Sequence, residues 1–175
     1  MKIHNLLNEN EQQLSQFQQQ FADDVLDGLL AKPKQISAKY FYDERGSILF
    51  QHISAHEDYY LTRVEHEILT NIKDEIATTI AVNEIDIIEL GAGDGHKTRI
   101  IIDGLNKAGI QVNWYPIDIS KKAMQQIDDQ FQSNEHLTIH GVIAEYLSGL
   151  KHVRDISTNQ QLVLFIGSNI GNLNR

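Results

Sequence analysis

The stretch IDIIELGAGDGHKT, Ile85 to Thr98, decides the fold. Its first half is a short β-branched run suited to a strand buried within a parallel sheet. Its second half places Gly91, Gly93 and Gly95 at alternate positions, and a helical pattern begins at Thr98. In open α/β sheets, ligands bind at the carboxyl ends of strands. Glycines there let a ligand approach the backbone closely and allow positive φ. The helix that follows offers free N–H groups to an anionic group.

Downstream, Thr98 to Ala108 is helical by pattern, with Gly109 as its stop. Gln111 to Ile117 reads as a second strand, and Ser120 to Phe131 as a helix with Ser120 as N-cap. Leu137 to Ile143 is a third strand, and the very apolar Gln161 to Ser168 a fourth. Strands alternating with helices imply right-handed crossovers and a parallel sheet. The expected order is third, second, first, fourth, with the fourth at an edge. Upstream, Leu14, Phe17, Phe21, Val25 and Leu29 mark a helix from about Glu9 to Leu30, broken by Pro33. A short helical piece spans Ile48 to Ala55. Thr62 and Glu65 read as a capping box for a helix from Arg63 to about Ala81. Its core-facing stripe is Val64, Ile68, Leu69, Ile72, Ile76 and Ile80.

Composition narrows the partners. The 175 residues carry 24 acidic and 15 basic side chains, a net charge of -9. That charge repels phosphate backbones and argues against nucleic acid and anionic membranes as partners. A 41% hydrophobic content supports a real core. The chain has no cysteine, so disulfides, thiolate metal sites and thiol catalysis are excluded. No apolar run approaches the length of a membrane span, and MKIHNLLNENEQQ has no apolar signal core, so a cytoplasmic protein is expected. His52 and His56 suit one helical face but lack a third ligand at a convincing spacing, so no metal is expected.

Three readings of the glycine turn compete. A dinucleotide fingerprint needs G-x-G-x-x-G, but His96 stands where the third glycine belongs. A phosphate loop needs G-x-x-x-x-G-K-[ST]; Lys97 and Thr98 fit, His96 again does not, and LVLFIGS ends without the acid that would help hold magnesium. The third pattern, E-x-G-x-G for S-adenosylmethionine, is met by Glu89, Gly91 and Gly93. Asp118, ending the second strand, suits ribose hydroxyls, though NAD sites use an acid there too and it could also cap the helix beginning near Ser120. Glu145 and Tyr146, after the third strand, suit an adenine amine and ring, or an ordinary surface acid beside a packed tyrosine. Lys97 suits a ligand carboxylate or plain solvation.

Five segments, KYFYDERGSILFQHI, EDYYLTRVEHEIL, ELGAGDGHKTR, YPIDIS and LFIGSNIGNL, resemble in this order the histidine-specific N-methyltransferase family. Its members use S-adenosylmethionine to trimethylate the α-amine of histidine in ergothioneine synthesis, and related branches act on other amino-acid amines, including a tryptophan derivative. The resemblance implies a class I methyltransferase Rossmann-like α/β fold, of which this chain supplies the first four strands after an N-terminal helical segment. It implies that residues 1–83 carry part of the substrate site and 84–175 an incomplete cofactor-binding domain. By match, Gly91 and Lys97 contact the methionine part of the cofactor, with Gly93 beside them. Asp118 binds ribose, and Glu145 with Tyr146 replaces an Asp–Phe pair beside adenine. Tyr59 and Asn172 line the amino-acid site, and Tyr42 orients the reacting amine as the catalytic candidate. Asn169 stands where Thr is common. Family members continue through three more strands and a lobe that recognises the side chain. The sequence therefore looks like the N-terminal part of a larger protein, expected to lack histidine methylation alone and to self-associate through its fourth strand. The alternatives are a non-catalytic binding module, a related amino-acid N-methyltransferase, or a NAD- or ATP-binding domain.

Overall fold

A computed structural model describes residues 1–7, 11–41, 43–167 and 169–172. Strands β2 (Glu84–Leu90), β3 (Gln111–Asp118), β4 (Leu137–Ile143) and β5 (Gln161–Leu164) form a parallel sheet. They lie in the expected order, with β5 at one edge. A fifth strand, β1 (Lys2–Asn5), was not foreseen; it pairs parallel with β4 at the opposite edge, so the four-strand sheet is corrected to five. The first residues of the chain thus join the sheet rather than the helices that follow them.

Among the described residues, six α-helices accompany the sheet: α1 (Glu11–Leu30), α2 (Glu44–Ser54), α3 (Leu61–Thr79), α4 (His96–Lys107), α5 (Lys121–Gln130) and α6 (Tyr146–Ile156). Alternation along β2 and β3 splits the core in two. Ile87 and Trp114 face Ile101, Leu105 and Ile127 of α4 and α5. On the other face, Ile88 and Ile117 pack with Val142 and with Val153 of α6. α6 itself falls where the sequence pattern singles out no element. Helix α3 packs outside α4 through Leu69 and Ala77.

Three expectations are corrected here. The N-cap of α3 is Tyr60 and no side chain caps it, so Thr62 and Glu65 do not form a capping box. The first part of the α3 stripe is exposed, Val64 by 41% and Ile68 by 50%, and on α1 Phe21 and Leu29 are also exposed. The side chains of Leu14 and Phe17 lie outside the described residues. Finally, β5 ends at Leu164, short of Phe165 and Ile166, and Gly167 has a φ of +87°; Ser168 lies outside the described residues.

Candidate functional site

The carboxyl ends of β2, β3 and β4 open into a cavity of about 640 Å³, a volume within the range of small-molecule sites. Its floor is the glycine turn. Gly93 has a φ of +56°, and a Cβ there would meet nothing within 4 Å, so the backbone itself forms the open wall of a cradle. Gly95 differs: its φ is +73° and a Cβ would sit 2.5 Å from Cη2 of Trp114. Gly95 lets α4 pack on the sheet.

The turn's own amides bear on the readings of the sequence. Gly91 N–H donates to the Ile117 carbonyl (2.9 Å) and Gly95 N–H to the Ala92 carbonyl (3.0 Å). Gly93 N–H donates to Asp118 Oδ2 at 3.0 Å, and His96 N–H to Asp94 Oδ1 at 3.2 Å. A phosphate cradle works by presenting such donors to the ligand; here these four are spent inside the protein. The wall, among the described residues, carries the carboxyl groups of Glu89, Asp94, Asp118 and Glu145 against the ammonium groups of Lys97 and Lys122. Lys97 is already neutralised by Glu65, Nζ to Oε2 at 2.6 Å. Such a wall disfavours polyphosphates and suits a cationic ligand.

Burial and neighbours tune the acids. Asp118 accepts from Gly93 N–H and, through Oδ1, from Ser120 N–H at 2.8 Å. A carboxylate has about four acceptor sites, so capacity remains for a ligand hydroxyl. Burial pushes the Asp118 carboxyl above its ordinary value, and the amides of Ser120, Gly93 and Ile119 hold it back. Glu89 is buried at the foot of the turn and accepts from the Trp114 indole N–H at 3.2 Å. Burial pushes its carboxyl up to about 8, against the indole and the nearby Thr98 hydroxyl, with the Asp118 and Asp94 charges adding to the rise. That hydroxyl adjoins the carboxyl without closing a well-formed bond to it.

Six of the nine site residues expected from sequence line this one cavity: Gly91, Gly93, Lys97, Asp118, Glu145 and Tyr146. Glu145 ends the loop before α6, and Tyr146 meets Phe165 edge-on, centroids 5.5 Å apart. Tyr59 stands one layer back, its ring edge-on to Phe50 at 6.3 Å, and Phe50 lines the cavity. Asn172 ends a short 3-10 segment, Asn169–Asn172, with its side chain outside the described residues. Tyr42 lies outside them altogether. The N-terminal helices supply the facing wall through Ile48, Phe50 and Gln51 of α2 and Thr62 and His66 of α3. Gln51 Nε2 donates to Gln126 Oε1 of α5 at 3.1 Å, tying the two walls together. Glu65, behind the wall, bonds two residues that line it, and the sequence did not point to this because T-x-x-E spacing suggests a cap while its partners are 32 and 102 residues away.

The family model for SAM-dependent, histidine-specific methyltransferases matches residues 21–175. The chain belongs to this family. Among curated relatives, "Ergothioneine biosynthesis protein 1" of Neurospora crassa is 36% identical over 82% of this chain and 16% of that protein. "Histidine N-alpha-methyltransferase" of Mycolicibacterium smegmatis is 34% identical over 86% of this chain and 46% of its own length. A "4-dimethylallyltryptophan N-methyltransferase" of Claviceps fusiformis is 28% identical over 87% of the chain and 44% of that protein. The chain thus spans less than half the length of these relatives. Among the described residues, no helix is long and apolar enough to cross a membrane, and no group of three or more His, Cys, Asp or Glu is placed to hold a metal ion.

Proposed function

We propose that this chain carries the cofactor half of an S-adenosylmethionine-dependent methyltransferase that acts on the α-amine of histidine. The observation that supports it most is the acid-lined cavity over a glycine turn whose amides are already bonded. In this reading Asp118 takes ribose hydroxyls, Glu145 and Tyr146 flank adenine, and Gly91, Gly93 and Lys97 face the methionine part. Tyr59 and Asn172 belong to the amino-acid side and Tyr42 to the reacting amine. Residues 1–83 then contribute the substrate wall and residues 84–175 the cofactor wall.

S-adenosylmethionine would supply an electrophilic methyl group on a sulfonium sulfur. The chain's task is to hold a neutral amine in line with it, and orientation of this kind is worth roughly 7–11 kcal/mol. Tyr42 orients rather than deprotonates, since an ordinary tyrosine titrates near about 10. The surrounding carboxylates favour a cationic ligand over a neutral one of the same shape. A second reading, an amine on an indole-bearing amino acid, draws support from the relative named for dimethylallyltryptophan. Two further proposals concern the setting. One is that the enzyme works in the cytoplasm. The open edge of β5, where Val163 is 49% exposed, favours self-association of this chain.

The substrate is tested with the protein expressed from its full reading frame, incubated with S-adenosylmethionine and single amino acids. Mass spectrometry should find mono-, di- and trimethylhistidine. Methylation confined to a tryptophan derivative would replace the first reading with the second, and cofactor binding with no methylated amino acid would leave a binding module.

A further inference from the structure

Glu65 sits on α3, behind the cavity wall, and its carboxylate spans two segments that do line it. Oε2 accepts from Lys97 Nζ at 2.6 Å, and Oε1 from Gly167 N–H at 3.0 Å. Lys97 lies in the first turn of α4, directly after the glycine turn. Gly167 opens the turn after β5 that leads to the Asn169–Asn172 segment. Helix α3 itself begins two residues after Tyr59. One carboxylate therefore joins the helix beside Tyr59, the cofactor turn and the turn leading to Asn172.

We propose that Glu65 is a positioning residue: it fixes the Lys97 ammonium for a ligand carboxylate and clamps the turn after β5 to the cofactor turn. This assignment rests on the methyltransferase reading above. The pair is about three-quarters buried, with side chains 28% and 26% exposed, so its partners depend on each other more than a surface pair would. An ammonium has three donors and Glu65 uses one, which leaves two for a ligand. Without the carboxylate the lysine stem regains its rotamers, and the Gly167 N–H loses its acceptor.

A double-mutant cycle read by calorimetry with S-adenosylhomocysteine tests this. Glu65→Gln should weaken binding about fivefold, because the amide keeps an acceptor for Gly167 but no charge for Lys97. In a Lys97→Met background the same substitution should change affinity by less than about twofold, since coupled residues are non-additive. Glu65→Ala should lose more than Glu65→Gln; if it fails to fold, the cycle stands on the other variants. An equal loss in both backgrounds, or no loss in either, would overturn the assignment while wild-type binding upheld the cofactor reading. No wild-type binding would overturn the cofactor reading, and this assignment with it.

Discussion

Gly93 and Gly95 are two residues apart, both with positive φ, and their surroundings give them separate jobs. A methyl group at Gly93 would project into open cavity, whereas at Gly95 it would strike Trp114. Gly95→Ala is therefore expected to destabilise the fold by about 1–3 kcal/mol, from collision plus backbone strain. Gly93→Ala should carry only the smaller cost of left-handed backbone, about 1–2 kcal/mol, yet weaken S-adenosylhomocysteine binding. Thermal melts and calorimetry on the two variants check this; equal effects on stability and binding would show that the turn has no inner and outer glycine. Asp118→Ala should weaken the same ligand by about 1–3 kcal/mol, the scale of a lost charged hydrogen bond. Because Asp118 also holds the amides of Gly93 and Ser120, Asp118→Asn should lose less. Unchanged affinity in the alanine variant, with its circular dichroism intact, would remove Asp118 from the site. At this scale the glycines and Asp118 were legible in the sequence because their geometry is set within one turn and one neighbouring strand. Glu65 was not, because its partners meet it only through the packing of α3 on α4 and β5.

Strand β2 carries Glu89 into the core, and its titration belongs to the strand, the helix on it and the single tryptophan beside it. The ordinary value is 4.5, and burial raises it to about 8 in the fold. The folded state therefore keeps a proton that the unfolded state has released. This contribution to stability is complete below about 4.5 and is lost as pH rises through about 8. Glu89→Gln should flatten that decline and raise the melting temperature on the alkaline side; parallel curves for the two proteins would contradict it. A cationic ligand favours ionised Glu89, so S-adenosylmethionine should release more protons near neutrality than the uncharged-sulfur S-adenosylhomocysteine, read by calorimetry in two buffers of different ionisation enthalpy. Equal release would place Glu89 out of the ligand's electrostatic reach. Elements were legible where periodicity was strong, as in β2, β3, β4 and α5 with its Ser120 cap. They were not legible where tertiary pairing supplies the reason. Lys2–Asn5 becomes a strand because β4 offers it an edge, as the Leu6 N–H to Ile143 carbonyl bond at 2.9 Å continues. Helix α6 forms where Gly149 lets it lie against Ile117.

Across the whole molecule, the two sheet edges are unlike. The β4 edge is covered by β1, whereas among the described residues nothing pairs with the outer edge of β5, where Val163 is well exposed. Unpaired apolar edges recruit other chains, so this chain should elute from size exclusion as an oligomer whose population rises with concentration. Val163→Lys should return it to monomer; a wild-type monomer at all concentrations would refute the edge argument. Strand order was legible in the alternation of strands and helices, because crossover handedness leaves few topologies. The cavity's second wall was legible only through the family resemblance, since nothing local in Ile48, Phe50 or Thr62 announces a ligand. We propose that the acidic cavity above the glycine turn is a site for S-adenosylmethionine and not for a nucleotide phosphate. Titration calorimetry of this chain against S-adenosylmethionine, S-adenosylhomocysteine, NAD and ATP tests it most directly. Saturable binding of the two adenosyl-amino-acid ligands, abolished or weakened in Asp118→Ala, with none for NAD or ATP, is the predicted result; tighter binding of ATP or NAD than of S-adenosylmethionine would contradict it.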